Sequence, residues 1–263
     1  MRFQCQQCLG IVAVDDSALG QSVACGHCEC VVEVPASFYG DTAAIDDFVI
    51  KKRLGKGGMG EVYLAHQLSL DREVALKLLL EEFSSNQDFV VDFVREARAA
   101  ARLNHPNVIQ SFAVGQENGT YFLAMECVKG QTLKEWMDDN GTAIPVLDSL
   151  IIIKEVASAL GYAWNQEKLI HRDIKPDNIM LNQKGQAKLM DLGLARFDSD
   201  SLDANDDGDE VMGTPQYISP EQLIGGDMDF RGDLYSLGAT FYHMITNQFP
   251  FDGAHAADIA RKH

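Results

Sequence analysis

The pattern of hydrophobic and polar residues predicts strands early in the chain and helices later. Between residues 48 and 79, short apolar runs separated by glycine and charged residues indicate strands. Residues 121–130 are expected to form another buried strand that runs into a glycine-containing connector. From residue 89 to 103, apolar side chains recur every three or four positions, as on one face of a helix. Helices are also predicted at 148–168 and 233–245.

One helix start is marked by Thr132, which is followed three residues later by Glu135. A Thr and a Glu at this spacing can form a capping box, in which each side chain accepts a hydrogen bond from the other residue's backbone N–H. The sequence therefore predicts that a helix begins at this point.

Five of the six cysteines lie in the first 30 residues, and we call residues 1–34 the cysteine module. Cys5 and Cys8 are separated by two residues, as are Cys25 and Cys28, and sixteen residues lie between the pairs. Two such pairs can place four thiolates about 2.3 Å from one Zn²⁺. This spacing predicts one structural zinc ion bound by the four cysteines.

Short strands expected at 11–14 and 31–34 complete the resemblance of the module to a zinc ribbon. His27 and Cys30 are further potential ligands, for which we favour surface positions without metal. The alternative for the cysteines is a pair of disulfides in an exported protein, and nothing in the sequence supports export.

Acidic residues outnumber basic ones by 39 to 22, which gives a formal net charge of −17. Nucleic acids and anionic membranes attract positive charge, so neither is expected as a partner. The cysteine module has one basic residue, Arg2, and four acids (Asp15, Asp16, Glu29 and Glu33), which favours a structural or protein-binding role. No apolar run approaches the ~18 residues of a membrane helix, and no apolar signal core is found, so a cytoplasmic protein is expected.

The main candidate for chemistry is residues 171–178, which read His-Arg-Asp-Ile-Lys-Pro-Asp-Asn. The carboxylate of Asp173 can accept the proton of an attacking hydroxyl, and the ammonium group of Lys175 can neutralise a transferring phosphate. The amide oxygen of Asn178 can hold a metal ion together with the carboxylate of Asp191. Positioned charges of this kind supply most of the catalysis in phosphoryl transfer. The alternative is a polar, proline-containing turn without chemistry.

A glycine-rich turn at 54–60 is a candidate phosphate-binding element, because glycines let the backbone approach phosphates closely. A dinucleotide site would need a helix directly after the glycines. Strands are predicted there instead, at 62–65 and 72–79, which favours a flap over phosphates. Lys77 is then a candidate phosphate ligand, and the alternative is a solvated lysine at a strand end.

These motifs, in this order, resemble the protein-kinase family, and are most similar to bacterial serine/threonine kinases of the eukaryotic-like (Hanks) type. The resemblance covers residues 48–263. It implies an α+β, bilobal fold with a β-rich lobe, a larger helical lobe and ATP between them. It also implies transfer of the ATP γ-phosphoryl group to Ser or Thr hydroxyls of protein substrates in signalling, with Mg²⁺ or alternatively Mn²⁺.

The resemblance assigns roles to individual residues. Asp173 is the implied catalytic base, Lys175 and Asn178 assist it, and Asn178 and Asp191 hold the metal. Asp233 is implied to brace the backbone of the 171–178 loop. The residues implied in ATP binding are Leu54, Gly55, Lys56, Gly57, Gly58, Met59, Gly60, Val62, Ala75, Lys77, Glu96, Met125, Glu126 and Val128.

Within this set, Glu96 is implied to hold Lys77, and Met125 to be the gatekeeper next to the adenine-binding backbone of Glu126 and Val128. Thr214 and Glu221 belong to the implied substrate-anchoring segment. Seven acids at 198–210 are interpreted as a solvated loop that phosphorylation does not switch in the usual way.

The expected organisation is the cysteine module, a linker at 35–47 and a kinase domain at 48–263. Family domains run some tens of residues further, so we expect the last helices of the large lobe to be missing and Glu221 to lack its arginine partner. Dimerisation is compatible with the family.

Two alternatives remain for the function. The chain could be a pseudokinase scaffold, although such proteins usually lose Lys77, Asp173 or Asp191, and all three are present. The cysteine module could also be the functional part, with the kinase as its regulator.

Overall fold

The computed structural model describes residues 1–192, 215–225 and 228–263. Contacts divide the chain into two compact units. The first contains Met1–Asp92 and Ser111–Cys127, and the second contains Phe93–Gln110 and Val128–His263. Strands dominate the first unit and helices the second, as the sequence predicts for an α+β kinase fold.

The first unit begins with the cysteine module, in which each cysteine pair lies in the turn of a short antiparallel hairpin. The strands are β1 (Arg2–Gln4), β2 (Ile11–Ala13), β3 (Ser22–Ala24) and β4 (Val31–Glu33). The two strands predicted here are confirmed, each one residue shorter than expected.

A six-stranded antiparallel sheet follows, with the spatial order β5-β6-β7-β8-β10-β9. Its strands are β5 (Ala44–Ile45), β6 (Phe48–Lys56), β7 (Gly60–Gln67), β8 (Arg72–Leu79), β9 (Ser111–Glu117) and β10 (Thr120–Glu126). A one-turn helix, α1 (Glu81–Ser84), comes after β8. One face of the sheet buries Phe48, Ile50, Leu76 and Phe122, and this core holds the strands together.

The segment predicted as a linker, 35–47, contributes to this sheet. Ala44 and Ile45 form β5 and pair with the start of β6. Ala43 pairs on its other side with Phe3 of β1. The composition of 35–42 is typical of a linker, but the three apolar residues that follow are buried between β1 and β6, so the segment is ordered there by pairing.

The second unit consists mainly of helices. Helix α2 (Gln87–Ala101) begins in the first unit and ends in the second. The later helices are α3 (Leu133–Asn140), α4 (Val146–Glu167), α5 (Pro220–Leu223), α6 (Phe230–Thr246) and α7 (Ala256–Lys262). A small antiparallel sheet contains β11 (Gly130–Thr132), β12 (Ile179–Asn182) and β13 (Ala187–Leu189).

Helices α4 and α6 supply much of the core of this unit, including Val156, Leu160, Leu237 and Met244. The predicted helices are confirmed, with ends shifted by no more than three residues. In the described ranges, no helix is both long enough and apolar enough to cross a membrane.

Helix α3 starts at the predicted capping box. The hydroxyl of Thr132 accepts a hydrogen bond from the backbone N–H of Glu135 at 3.0 Å, and the Glu135 carboxylate accepts one from the backbone N–H of Thr132 at 2.7 Å. Because Thr132 is also the last residue of β11, the box fixes the angle between strand and helix.

We expect Thr132→Ala to lower the free energy of unfolding by about 1 kcal/mol, because it removes the acceptor of the cap. Lys134→Ala is a matched control on the same helix, since it removes an exposed pair with Asp138 that contributes about 0.3–0.5 kcal/mol. Chemical denaturation of both variants measures the difference. A Thr132→Ala protein as stable as wild type would contradict this role of the capping box.

Candidate functional site

The 171–178 loop places two other predicted side chains, those of Lys175 and Asn178, against the carboxylate of Asp173. The ammonium nitrogen of Lys175 lies 2.9 Å from Asp173 Oδ2. The amide nitrogen of Asn178 donates to the same oxygen at 2.7 Å and to the backbone oxygen of Asp173 at 2.8 Å. Two donors therefore fix the direction of this carboxylate, as a positioned proton acceptor requires.

The backbone of the loop is held by Asp233 at the start of α6. Asp233 is 2% exposed, and its carboxylate accepts hydrogen bonds from the backbone N–H groups of His171 at 2.7 Å and Arg172 at 2.8 Å. Burial raises the pKa of Asp233, while the hydrogen bonds from the backbone N–H groups of His171 and Arg172, together with the charge of Arg172, oppose this by favouring the carboxylate. The expected brace is confirmed.

His171 connects the loop to the strand that precedes Asp191. Its Nδ1 accepts a hydrogen bond from the backbone N–H of Asp173 at 3.3 Å, so Nε2 carries the proton and donates to the backbone oxygen of Met190 at 2.7 Å. The backbone N–H of Met190 in turn donates to the backbone oxygen of Asn178 at 2.9 Å. The two predicted metal ligands, Asn178 and Asp191, thus lie on hydrogen-bonded segments.

Two residues of this site have left-handed backbone conformations. Arg172 has φ 68° and Asp191 has φ 50°. Such conformations are unfavourable for residues other than glycine and persist where surrounding bonds impose them. The bonds from Asp233 and His171 supply that constraint.

Sequence reasoning missed Gln222 on α5. Its side-chain nitrogen donates to the backbone oxygen of Arg172 at 2.8 Å, while its side-chain oxygen accepts from Ser219. Gln222 therefore ties α5 to the 171–178 loop. The sequence offered a weak signal, because a Gln three residues after Ser219 can form a capping box.

The predicted nucleotide-binding residues of the first unit share one face of its sheet. Lys77 on β8 lies opposite Val62 on β7, and Ala75 lies opposite Met125 on β10. Side chains alternate along a strand, so Lys77 and Ala75 face the side opposite to the core residue Leu76. Lys77 is 8% exposed. The structure brings these four predicted residues together.

The glycines of the turn between β6 and β7 differ in their surroundings. A Cβ atom at Gly60 would lie 2.2 Å from the backbone oxygen of Leu78, so strand pairing requires glycine there. Among the described residues, no heavy atom lies within 4 Å of a Cβ at Gly55 or Gly58, and the nearest to one at Gly57 is 3.9 Å away. Packing explains Gly60 and leaves the other three open to a ligand.

The side chains of Leu54, Lys56 and Met59 near the turn differ in their exposure to solvent. Leu54 and Lys56 are exposed on β6, and the Lys56 ammonium group lies 3.7 Å from the carboxylate of Glu61. Met59 is buried. The turn therefore presents one apolar and one basic side chain to solvent.

Glu96 is buried on α2, and the guanidinium group of Arg95 lies 3.7 Å from its carboxylate. Glu126 ends β10 in the first unit, whereas Glu96 and Val128 belong to the second. The expected pairing of Lys77 with Glu96 and the adenine contacts of Glu126 and Val128 therefore remain proposals.

The predicted substrate segment is described in part. Glu221 is half-buried on α5. Thr214 and the acidic run at 198–210 lie outside the described residues. Leu192, directly after Asp191, is buried in the core of the second unit.

The four predicted zinc ligands come together in the cysteine module, with all sulfur atoms within 4.8 Å of one another. The sulfurs of Cys5 and Cys28 are 3.8 Å apart, and those of Cys8 and Cys25 are 3.7 Å apart. Ligands about 2.3 Å from a tetrahedral ion are separated by ~3.8 Å, so this arrangement fits one zinc ion.

The backbone around Cys25 favours the thiolate form of this residue. The backbone N–H of His27 lies 3.4 Å from the sulfur of Cys25 and lowers the pKa of this thiol to about 7, against the effect of burial. The His27 ring donates from Nε2 to the backbone oxygen of Ile11 at 2.9 Å, and Cys30 is exposed. Both are placed outside the group of four sulfurs, in agreement with the sequence interpretation.

Known proteins are similar to this chain in sequence and in fold. Residues 48–263 match the family model for the protein kinase domain. The chain is 39% identical over 216 residues to serine/threonine-protein kinase PrkC of Bacillus subtilis (strain 168). This match covers 82% of this chain and 33% of PrkC. It is 41% identical over 230 residues to serine/threonine-protein kinase pkn3 of Myxococcus xanthus. That match covers 81% of this chain and 40% of pkn3.

Among solved structures, the kinase domain of Mycobacterium tuberculosis PknI is similar, with a TM-score of 0.67 and 31% sequence identity. The match covers 81% of this chain and 79% of that one. The chain spans 33% and 40% of the length of the two curated relatives above. Since the family model accounts for all residues from 48 to 263, the chain belongs to the protein kinase domain family.

Proposed function

We propose that the chain transfers the γ-phosphoryl group of ATP to Ser or Thr hydroxyls of protein substrates in signalling. The observation that carries this proposal is the carboxylate of Asp173, which Lys175 and Asn178 hold within a loop fixed by Asp233. The relatives that are named serine/threonine-protein kinases support the same activity.

In the proposed reaction, Asp173 orients the substrate hydroxyl and accepts its proton. The hydroxyl oxygen forms a bond to the γ-phosphorus, and the bond between that phosphorus and the β,γ-bridging oxygen breaks, leaving ADP. The ammonium group of Lys175, 2.9 Å from Asp173, is placed to neutralise charge on the transferring group. Because Asn178 already fixes the carboxylate, little reorganisation is needed during the reaction.

Asn178 and Asp191 are the residues that would hold Mg²⁺, or Mn²⁺ in its place. The NH2 group of Asn178 donates to Asp173, so its amide oxygen is the atom that would bind the ion. Carboxylate and amide oxygens are the ligands that such hard cations prefer. A bound divalent ion neutralises charge on the phosphates during transfer.

We assign nucleotide binding to the face of the sheet that carries Val62, Ala75, Lys77 and Met125, together with the glycine turn at 54–60. Lys77 would bind phosphate oxygens, with Glu96 orienting it. The backbones of Glu126 and Val128 would bind adenine. Substrate anchoring is assigned to the segment of Thr214 and Glu221.

We also propose that the cysteine module, residues 1–34, binds one structural zinc ion through Cys5, Cys8, Cys25 and Cys28. The proposed need for ATP and for reduced thiols supports a cytoplasmic location. Its proposed partners are ATP and protein substrates, and dimerisation is compatible with this function.

Asp173→Asn is expected to slow phosphoryl transfer to a protein substrate by about 10²–10⁴-fold, because the amide cannot accept the proton. ATP affinity should be retained. Asp177→Asn is the matched control, since Asp177 is exposed in the same loop. Transfer of labelled phosphate, followed by identification of the labelled amino acid, is the measurement.

An Asp173→Asn protein with the wild-type rate would overturn this assignment. A wild-type protein that binds ATP and transfers nothing to protein, under conditions where it is folded, would favour the scaffold alternative instead.

The glycine turn gives a second prediction. Gly57→Ala combined with Gly58→Ala should leave stability unchanged and weaken ATP binding by about tenfold, because the added methyl groups lie in open space that the phosphates would occupy. Gly60→Ala should instead lower the free energy of unfolding by about 1–3 kcal/mol through its clash with Leu78. Calorimetric ATP titration and thermal unfolding separate the effects, and unchanged ATP affinity in the double variant would contradict the assignment.

Metal analysis tests the zinc site. Purified protein should contain about one equivalent of zinc, and Cys25→Ser should lose it, because three thiolates and a hydroxyl bind zinc far more weakly. Cys30→Ser is the matched control and should keep the metal. Equal zinc contents in wild type and Cys25→Ser would refute the site.

A further inference from the structure

The cysteine module is hydrogen-bonded to the kinase sheet. Phe3 of β1 pairs antiparallel with Ala43, and the backbone N–H of Gln4 donates to the backbone oxygen of Thr42 at 2.8 Å. The same segment bonds β6 on its other side: Thr42 N–H donates to Ile50 O at 2.9 Å, and Ile50 N–H donates to Ala43 O at 2.8 Å. The β1–β2 hairpin is therefore bonded to the segment that contains β5, at the β5 edge of the sheet.

Side chains reinforce this junction. Arg2 forms a two-pronged ion pair with Glu117 at the end of β9, with Nε 2.9 Å from one carboxylate oxygen and a terminal nitrogen 2.7 Å from the other. Arg2 also donates to the backbone oxygen of Asp46 at 3.2 Å. The hydroxyl groups of Tyr39 and Thr120 are hydrogen-bonded at 2.7 Å. Paired bonds of a guanidinium to a carboxylate fix orientation as well as distance.

The position of β1 is linked to the thiols. Cys5 follows β1 directly, and it packs with Cys25, Phe3 and other apolar residues in one small core. Met1 packs against both this core and the core of the sheet. A module of this size buries too little apolar surface to fold alone, so metal binding would hold its core together.

Strand β6 connects the segment that bonds the cysteine module to the proposed phosphate-binding turn. We call residues 48–67, which comprise β6, the turn and β7, the glycine hairpin. Its base, at Phe48 and Ile50, is buried against the segment that bonds the module. Its outer part is exposed, and the pairing of β6 with β7 is irregular at two places before it reaches Gly55. The hairpin is thus anchored at the end where the module is attached.

We propose that the metal-loaded cysteine module braces the glycine hairpin, and that Arg2 and Glu117 are positioning residues for ATP binding. This inference rests on the proposed function of the hairpin as the phosphate-binding element. The brace raises the fraction of molecules whose hairpin is ready to bind phosphate, and a smaller competent fraction lowers apparent affinity in proportion. Loss of zinc or of the ion pair therefore weakens ATP binding and leaves the 171–178 loop unchanged.

The test uses the full zinc-loaded chain, with Arg2→Gln and Arg2→Lys. Arg102→Gln is the matched control, because Arg102 forms a similar exposed ion pair with Glu167 in the second unit. Zinc content, amide hydrogen exchange, ATP affinity and steady-state kinetics are measured for each protein. Wild type is also measured after zinc removal with a chelator.

Arg2→Gln should keep its zinc, exchange faster in the glycine hairpin and show about a tenfold higher KM for ATP with kcat nearly unchanged. Arg2→Lys should give values between those of Arg2→Gln and wild type, because the lysine ammonium group can still form one of the two bonds to Glu117. Zinc removal should also speed exchange in the hairpin. Exchange in α4 should be unaffected throughout, and Arg102→Gln should match wild type in the hairpin.

Wild-type exchange and ATP affinity in Arg2→Gln would overturn the brace, as would zinc removal that speeds exchange only within residues 1–34. A general loss of stability would lower the active fraction and kcat rather than raise KM, which also contradicts a positioning role. Exchange and ATP binding do not require phosphoryl transfer. A chain that shows these changes and transfers no phosphate would therefore refute the proposed function and leave the brace standing.

Discussion

The site depends on a carboxylate buried inside the second unit. Asp233 is almost completely shielded from water, and burial of a charge is unfavourable unless it is well hydrogen-bonded. The backbone N–H groups of His171 and Arg172 supply those bonds and give up their own contacts with water in exchange. The left-handed conformation of Arg172 is part of that arrangement. Moving the loop would leave a buried charge unpaired, which is strongly unfavourable.

Further hydrogen bonds connect the loop that Asp233 holds to the rest of the site. The ring of His171 bonds the backbone of Met190, beside Asp191, and the amide of Asn178 bonds the carboxylate of Asp173. Gln222 adds a contact from α5 to the same loop. The proposed base and metal ligands are therefore positioned by a series of hydrogen bonds that begins at the buried carboxylate of Asp233. Asp233 lies on α6, which packs with α4 in the apolar core of the second unit. Precision of this kind is what phosphoryl transfer needs from a protein.

Sequence patterns within a short stretch of the chain predicted the features that depend on neighbouring residues. The period of apolar residues and the Thr132 capping box placed the helices within three residues, and the Cys-x-x-Cys spacing identified the four sulfurs that come together. The resemblance to kinases supplied the role of Asp233. The bond from Gln222 to Arg172 and the ion pair of Arg2 with Glu117 could not be predicted, because each joins residues far apart in sequence and no local pattern marks the partner. The pairing of Ala43 with Phe3 at the end of the 35–47 segment could not be predicted for the same reason, whereas Ala44 and Ile45 pair with β6, which follows them directly in sequence.

The most direct measurement is the rate of single-turnover phosphoryl transfer in Asp233→Asn, compared with Asp229→Asn. Asp229 caps the same helix from a more exposed position, and asparagine caps helices about as well as aspartate. The Asp233 variant loses one acceptor for the loop backbone. Transfer should slow by about 10²-fold while ATP affinity is retained, because the base is misplaced and the nucleotide-binding sheet is untouched. A wild-type rate in Asp233→Asn would show that the buried carboxylate does not position the site.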